Sequence, residues 1–391
     1  MRNRRWSTMS ALAVTLALVA SACGDDADDD AVATTEPAAS ATTEPASTEP
    51  ASTEPASTEP ASTEPASTEP AATTPGTEPG DDSLAGTTLT LYSGRNEELT
   101  QGVIDAFEAA TGVTVEVRYG SSSEMGAALL EEGTSTPADV FYSQEVGAVG
   151  VLAKAGLLSP LPDDVVALAD ERFRPPAENL WVGVTGRSRV IVYNPDLVPE
   201  PPTGTLELTD PKWAGQVAIV PGNAGFQAFI TGFRVAQGDD AASQWLTDMI
   251  ANGVRTDIES NGDVLAAVND GDLPMGLINH YYWGALAEEL GEENMAAQLI
   301  FPAGDDPGGL FNASAVGITT GGAENPAALA FVEFLLSEEG QTYFVEQTYE
   351  YPVVAGIPGP AGYPAMSDLE GPAIDLTDLD SLEVTQALLT D

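Results

Sequence analysis

The sequence is poor in several residue types, and each shortage argues against a class of function. Only 13 of the 391 residues are Lys or Arg, against 61 Asp or Glu, which gives a formal net charge of −48. So acidic a chain is unsuited to binding nucleic acid or anionic lipid surfaces, both of which favour basic partners. A single cysteine, Cys23, provides no disulfide within the chain, so a hydrophobic core has to hold the fold together.

Histidine is equally scarce, since His280 is the only one in the sequence. A Ser-His-Asp or Cys-His site would depend entirely on this residue, and no Gly-x-Ser-x-Gly turn precedes a predicted helix. We therefore expect that the protein is not an enzyme. We also expect His280 to form hydrogen bonds in a core or loop rather than to bind a metal.

The N-terminus has the pattern of an export signal. Three arginines in the first five residues precede an apolar stretch, Ala11–Ala20, that is too short to span a bilayer. Small residues then lead into Cys23, as in a bacterial lipoprotein signal, so we predict a signal peptide over 1–22 and acylation of Cys23. The protein would lie outside the cytoplasm, lipid-anchored to the outer face of the cell membrane. The alternative is an ordinary secretory signal with a free thiol, since Ala20 stands where leucine is usual.

Residues 23–85 are predicted to form a disordered, acidic tether. A Ser-Thr-Glu-Pro-Ala repeat runs to about residue 70, and neither Lys nor Arg occurs between Arg5 and Arg95. Regular proline blocks helices, and there is little apolar surface to bury. At about 3 Å per residue, the tether could reach on the order of 150 Å from the membrane.

From about Gly86 the composition becomes globular, and strand and helix patterns alternate. This alternation predicts parallel sheets covered by helices on both faces. Ligands bind beyond the carboxyl ends of strands in such sheets. The segments Ser93–Glu97 and Ser143–Glu145 both follow predicted strands, so we expect them near a binding site.

Two long extended segments, Val182–Tyr193 and Asn312–Thr320, are predicted to connect two lobes. Lobe one would comprise residues 86–188 and 312–362, and lobe two residues 189–311 and 363–391. Two crossing strands form a hinge that can close a cleft over a small ligand.

The segment Leu277–Trp283 reads LINHYYW and contains adjacent tyrosines, Tyr281 and Tyr282. A phenol has a reference pKa near 10, so a strongly Lewis-acidic ion such as Fe(III) is needed to deprotonate it at neutral pH. The pair therefore indicates a site for a hard, highly charged cation. The alternative is an aromatic run that only fills a core.

Several further motifs match one family. Taken with LINHYYW, the chain resembles the ferric-ion-binding subfamily of extracellular solute-binding proteins, the receptors of Fe(III) ABC importers. The resemblance implies the type II periplasmic-binding-protein fold, with two α/β lobes, two crossover strands and a cleft between them. It also implies a monomer whose partners are ferric ion as cargo, an ABC permease and its ATPase. The other matching stretches are LYSGRNE (91–97), PADVFYSQE (137–145), GRSRVIVY (186–193), DPKW (210–213) and EYPV (350–353).

The resemblance assigns roles to individual positions. The family's tyrosine ligand pair falls on Tyr281 and Tyr282. A histidine ligand of some members falls on Asn96, which is a poor Fe(III) ligand beside phenolate. A carboxylate ligand of some members falls on Gln144, with Glu145 one residue later, and the sequence does not decide which of the two reaches the cleft.

The resemblance also implies a synergistic anion, phosphate or carbonate, that completes the metal shell. Asn223, Ala224 and Gly225 match a loop that holds the anion with backbone N–H groups at a helix start. Asn261 and Asn279 match side-chain donors to it. Arg95, together with Arg187 and Arg189, would add positive charge.

A second hypothesis keeps the fold and changes the ligand. The tyrosines would then stack against or hydrogen-bond a phosphonate, a polyamine, thiamine or another small solute. The asparagine at 96 and the displaced carboxylate keep this alternative open.

Overall fold

The computed structural model describes residues 84–390. The predicted signal peptide over 1–22, the acylation of Cys23 and the tether up to residue 83 lie outside these residues. Within the described range, no helix combines the length and the apolar character that a membrane span requires.

Strands and helices alternate along the described chain. The strands are β1 (Thr88–Ser93), β2 (Thr114–Tyr119), β3 (Val140–Ser143), β4 (Leu158–Ser159), β5 (Val182–Tyr193), β6 (Val217–Ala218), β7 (Met275–Asn279), β8 (Gln298–Ile300), β9 (Phe311–Thr319) and β10 (Tyr351–Pro352). The helices are α1 (Glu97–Thr111), α2 (Ser122–Glu132), α3 (Val146–Lys154), α4 (Asp163–Val166), α5 (Ala224–Gln237), α6 (Asp239–Ala251), α7 (Asn261–Asn269), α8 (Tyr281–Leu290), α9 (Pro326–Leu335), α10 (Glu338–Gln347) and α11 (Leu382–Thr390).

The first sheet has the strand order β2-β1-β3-β9-β5. β1 lies parallel to both β2 and β3, whereas β9 is antiparallel to β3 and β5. The parallel strands end at the same edge, where α1, α2 and α3 begin. This edge therefore gathers the loops that follow Ser93, Tyr119 and Ser143, as expected for a binding site in an α/β sheet.

The second sheet is formed by β7 with β5, β6 and β8. Alternate residues of β5 face opposite sides of this sheet, because side chains alternate along a strand. Ile191 packs in a cluster with Phe226 and Trp245 of α5 and α6, whereas Val190 and Val192 pack in a cluster with α7. Helices thus cover both faces of the sheet.

Strand β5 belongs to both sheets and confirms the predicted extended segment Val182–Tyr193. Its first part pairs with β9, and Arg189–Tyr193 pair with β7. The second extended segment is β9, which begins one residue before the predicted Asn312. These two long strands connect the sheets.

The C-terminal segment contacts both hydrophobic regions. Leu376 and Leu379 pack in the core of the first sheet, while Leu388 and Leu389 of α11 pack against the cluster that contains α5. Arg234 Nη1 donates a hydrogen bond to the Thr385 hydroxyl oxygen at 2.9 Å. The division into lobes at the predicted boundaries stays a prediction.

Candidate metal and anion site

The adjacent tyrosines lie where β7 passes into α8. The strand ends at Asn279 and the helix begins at Tyr281. Consecutive helical residues normally diverge by about 100°, yet the Tyr281 and Tyr282 rings lie side by side, with centroids 4.7 Å apart and planes tilted by 31°. Both rings line one cavity, so two phenol oxygens are available to the same ligand.

The Tyr281 phenol is buried, with only 7% of the residue exposed. Burial raises the pKa of this phenol well above its usual value, the neighbouring Tyr282 adds to the rise, and Arg187 opposes it. Asn279 Nδ2 donates a hydrogen bond to Tyr281 Oη at 3.1 Å. Tyr281 is therefore a neutral phenol at physiological pH until a strong Lewis acid displaces its proton.

The cavity has a volume of about 550 Å³ and opens between loops of the two sheets. It brings together most of the predicted site residues, which come from the first-sheet loops, the start of α5 and the end of β7. These are Asn96, Gln144, Asn223, Ala224, Gly225, Asn279, Tyr281 and Tyr282.

The N-terminus of α5 forms one wall of this cavity. Asn223 caps the helix, and its Oδ1 accepts a hydrogen bond from the Phe226 N–H at 3.1 Å. The N–H groups of Ala224 and Gly225 have no partner within the helix, as in any first turn. A Cβ on Gly225 would lie 2.7 Å from Asn279 Nδ2, so glycine is what allows the helix to approach Asn279 closely. Free N–H groups and the helix dipole suit this wall to an anion.

Glu145 does not line the tyrosine cavity, although Gln144 does. Glu145 lines a separate cavity with Ser121 and Gln227, and its Oε2 is 4.0 Å from Arg187 Nη2. Burial raises the pKa of Glu145 to about 7, with Arg187 and Arg189 opposing the rise. Glu145 is the N-cap of α3 and has an extended backbone, in which successive side chains point to opposite sides, and this separates it from Gln144.

Arg95, which was expected to contribute charge to an anion site, forms an ion pair with Glu350 instead and does not line the tyrosine cavity. It is fully buried, and its Nη2 lies 2.5 Å from Glu350 Oε2. Thr185 and Thr348 donate further hydrogen bonds to the same carboxylate. Burial lowers the pKa of Arg95, but the Glu350 carboxylate outweighs this effect and holds the pKa above its usual range. Asn261 is also buried outside the tyrosine cavity, and its amide has no hydrogen-bond partner among the described residues.

His280 lies in the core, as the sequence analysis expected. It is buried, and its Nδ1 accepts a hydrogen bond from the Ser188 N–H at 3.2 Å. Its ring centroid lies 4.9 Å from that of Tyr351. Burial lowers the pKa of His280 to about 4, so the imidazole is neutral at physiological pH.

The sequence analysis missed one part of the cavity wall. Tyr119, Gly120 and Ser121 line the cavity after the end of β2. The rule that singled out Ser93–Glu97 and Ser143–Glu145 applies equally to this strand, and could have found them. The Tyr119 hydroxyl donates to Gln101 Oε1 at 3.0 Å, so it is already engaged.

Comparisons with known proteins show the family to which this chain belongs. Residues 92–342 match the family model described as bacterial extracellular solute-binding protein. The chain is 32% identical to the major ferric iron-binding protein of Neisseria meningitidis, over 77% of this chain and 91% of that one. It is 30% identical to the Fe(3+)-binding periplasmic protein of Serratia marcescens, over 77% and 89% of the two chains. The crystal structure of iron-bound HitA from Pseudomonas aeruginosa superposes with a TM-score of 0.72 at 32% identity, covering 78% of this chain and 99% of that chain.

Proposed function

Because the chain belongs to the bacterial extracellular solute-binding protein family and has the type II periplasmic-binding-protein fold, we propose that it is the ferric-ion receptor of an ABC importer. It binds Fe(III) together with a synergistic anion in the cleft and delivers the ion to a permease driven by an ATPase. Cys23 acylation keeps it at the outer face of the cell membrane. The protein has no catalytic role in this proposal.

The observation that carries the proposal is the meeting of two phenols and one helix N-terminus in a single cavity. Tyr281 and Tyr282 supply two negative charges once deprotonated, and the start of α5 supplies backbone donors opposite them. Two phenolates leave Fe(III) with one positive charge and open coordination positions. Within residues 84–390, no group of three or more His, Cys, Asp or Glu side chains is placed to hold a metal. An exogenous anion supplies what the protein lacks.

The residues divide into two sets in this proposal. Tyr281 and Tyr282 bind the metal, while Asn96 and Gln144 present neutral amide groups to the same cavity. Asn223, Ala224, Gly225 and Asn279 hold the anion, which we propose to be phosphate or carbonate. Glu145, Arg95 and Asn261 do not line this cavity and have no direct contact with either ligand in this proposal.

The comparisons support iron as the cargo. Both relatives are named for ferric iron, and the structural neighbour is described as iron-bound. The alignments cover 91%, 89% and 99% of these three chains, so the likeness is not confined to one part of the fold.

The test is a titration of the iron-free full chain with ferric citrate, with and without phosphate or carbonate. We expect a visible phenolate-to-iron charge-transfer band that deepens with the anion. The double variant Tyr281→Phe/Tyr282→Phe should abolish the band and the binding. Tyr193→Phe is the matched control, because its hydroxyl donates to Gln298 on an exposed part of the second sheet. A colourless wild-type chain without ferric protection against thermal unfolding would refute the proposal.

A different small solute is the second candidate, and the neutral amides of Asn96 and Gln144 beside the tyrosines favour it. Amide and phenol groups hydrogen-bond organic ligands as readily as they approach a metal. Calorimetry of the iron-free chain with a phosphonate, a polyamine and thiamine separates the two candidates. Tight binding of one of these, without any ferric response, would establish the alternative.

A further inference from the structure

Two arginines on one face of β5 are buried without hydrogen-bond partners. Arg187 is 2% exposed and Arg189 is 4% exposed. As residues two apart on a strand, they project from the same side of it. Both Nη atoms of Arg187 and the Nε, Nη1 and Nη2 atoms of Arg189 lack a hydrogen-bond partner among the described residues.

A third buried arginine, Arg95, differs from these two because its charge is compensated by a carboxylate. Arg95 is as deeply buried and forms an ion pair with Glu350. The nearest carboxylate to Arg187 is that of Glu145, whose Oε2 is 4.0 Å away and beyond hydrogen-bond distance. Arg189 forms no ion pair within residues 84–390, and its Cζ lies 5.8 Å from the centroid of the Phe226 ring. Burying a charge without a partner costs free energy, so we expect a counter-ion to bind between these two guanidinium groups.

A small cavity of about 20 Å³ lies against both guanidinium groups. A void needs roughly 10–15 Å³ to hold one water molecule, so this one admits a single particle of about that size. The cavity is lined by Arg187, Arg189, Asn279, Asn312, Gly225, Phe229 and Leu310. Its polar walls come from β5, β7, β9 and the start of α5, and its remaining walls are apolar.

The charge on these walls favours an anion over a water molecule. A water molecule would satisfy some of the N–H donors but would leave two positive charges uncompensated. The start of α5 adds the positive end of a helix dipole through Gly225. Guanidinium groups are weakly hydrated cations, which suits them to a weakly hydrated monoanion.

We propose that this cavity is a second anion site, which binds one chloride ion between Arg187 and Arg189. The site is separate from the larger tyrosine cavity, although Asn279 and Gly225 lie between the two. Neither arginine lines the tyrosine cavity, so this site is distinct from the one proposed for the anion that binds with iron. The proposal is independent of the iron proposal. A chloride bound here joins β5 to β9 and to α5, and stabilises the folded chain because it binds only the folded state.

Crystals of the iron-free full chain soaked in bromide provide the direct test. Bromide replaces chloride and has an anomalous signal, so a peak is expected between the Arg187 and Arg189 guanidinium groups. Absence of a peak there, or a peak confined to the tyrosine cavity, would overturn the proposal. This measurement uses the wild-type chain and does not depend on the folding of any variant.

Thermal unfolding supplies the second test, with chloride exchanged for gluconate at constant ionic strength. Chloride should raise the wild-type Tm by a few degrees in a saturable manner. Arg189→Met should lose the saturable increase. Arg174→Met is the matched control, since that guanidinium donates to the Ala167 and Ala169 carbonyls and should keep the response. An equal chloride response in wild type and Arg189→Met would contradict the proposed site.

Discussion

Glu145 and Glu350 are both buried carboxylates, but their surroundings shift their pKa values in opposite directions. Burial raises the pKa of Glu145 to about 7, and Arg187, whose Nη2 is 4.0 Å away, opposes this rise without reversing it. Burial also disfavours the Glu350 anion, but Arg95 and the Thr185 hydroxyl outweigh it and hold the pKa of Glu350 below its usual range. Both groups are buried, so the difference comes from the distance to the nearest guanidinium group. This distance is 2.5 Å for Glu350 and 4.0 Å for Glu145.

Glu145→Gln should change how stability depends on pH in the iron-free chain. Unfolded Glu145 titrates near its ordinary value of 4.5, and folded Glu145 near 7. Between these values the folded chain holds a proton that the unfolded chain has lost, so wild-type stability falls as pH rises, by roughly 3 kcal/mol at most. The variant should lack this component. Urea unfolding of both chains between pH 4.5 and 8 measures it, and identical pH profiles would contradict the raised pKa.

Glu350→Gln should destabilise the fold strongly. The substitution leaves the Arg95 guanidinium buried without its counter-charge, for which we expect a loss of roughly 3–5 kcal/mol in urea unfolding. Asp257→Asn is the control, since its ion pair with Arg255 lies in solvent and should contribute little. Equal losses of unfolding free energy in the two variants would show that the buried ion pair contributes no more to stability than the exposed one.

The first turn of α5 has a specific local requirement. It forms the wall proposed to hold the anion, and Gly225 is the residue that lets this turn approach Asn279. Alanine favours helices more than glycine does, so the glycine is explained by the close approach and not by helix stability.

Gly225→Ala should therefore weaken anion-assisted iron binding. The new methyl carbon would lie 2.7 Å from Asn279 Nδ2, which is too close, so the Asn279 amide would have to move. We expect a loss of affinity of at least about tenfold, equivalent to ~1.4 kcal/mol. Gly222→Ala is the matched control, because a Cβ there meets no atom within 4 Å. Titration of the charge-transfer band at fixed anion concentration compares the two, and equal affinities would argue against α5 as the anion wall.

The sequence predicted elements better than side-chain directions. Hydrophobic patterning defined β5 to the residue, and strand ends placed the segments that contain Asn96 and Gln144 near a binding site, where the structure has both lining the tyrosine cavity. The sequence could not choose between Gln144 and Glu145, because the backbone conformation just before α3 decides which of two neighbouring side chains faces the cavity. It could not pair Arg95 with Glu350, because 255 positions separate them and only the tertiary fold brings them together.

At the scale of the whole molecule, the cleft depends on two long strands. β5 and β9 connect the sheets, and the cavity takes its walls from loops of both. In the proposed iron site, the tyrosines on one side and the groups around Asn96 and Gln144 on the other have to approach one ion. We expect the connecting strands to act as the hinge.

Small-angle scattering tests this expectation. Adding ferric ion and phosphate to the full chain should lower its radius of gyration, since ligand binding favours the closed arrangement. The Tyr281→Phe/Tyr282→Phe chain should show no such decrease under the same conditions. A decrease of the same size in both chains would indicate an effect of salt or anion that does not involve the proposed iron site.

The position of β9 also bears on how the chain folds. This strand lies between β3 and β5 in the first sheet, although it follows the entire second sheet in sequence. The pairing of Val140 with Ile318 closes a very long loop, and such distant contacts slow folding. Until residue 319 has left the ribosome, β3 lacks this neighbour. Its unpaired N–H and C=O groups can then pair with another chain, which promotes aggregation. The first sheet therefore cannot be completed until most of the chain has been synthesised.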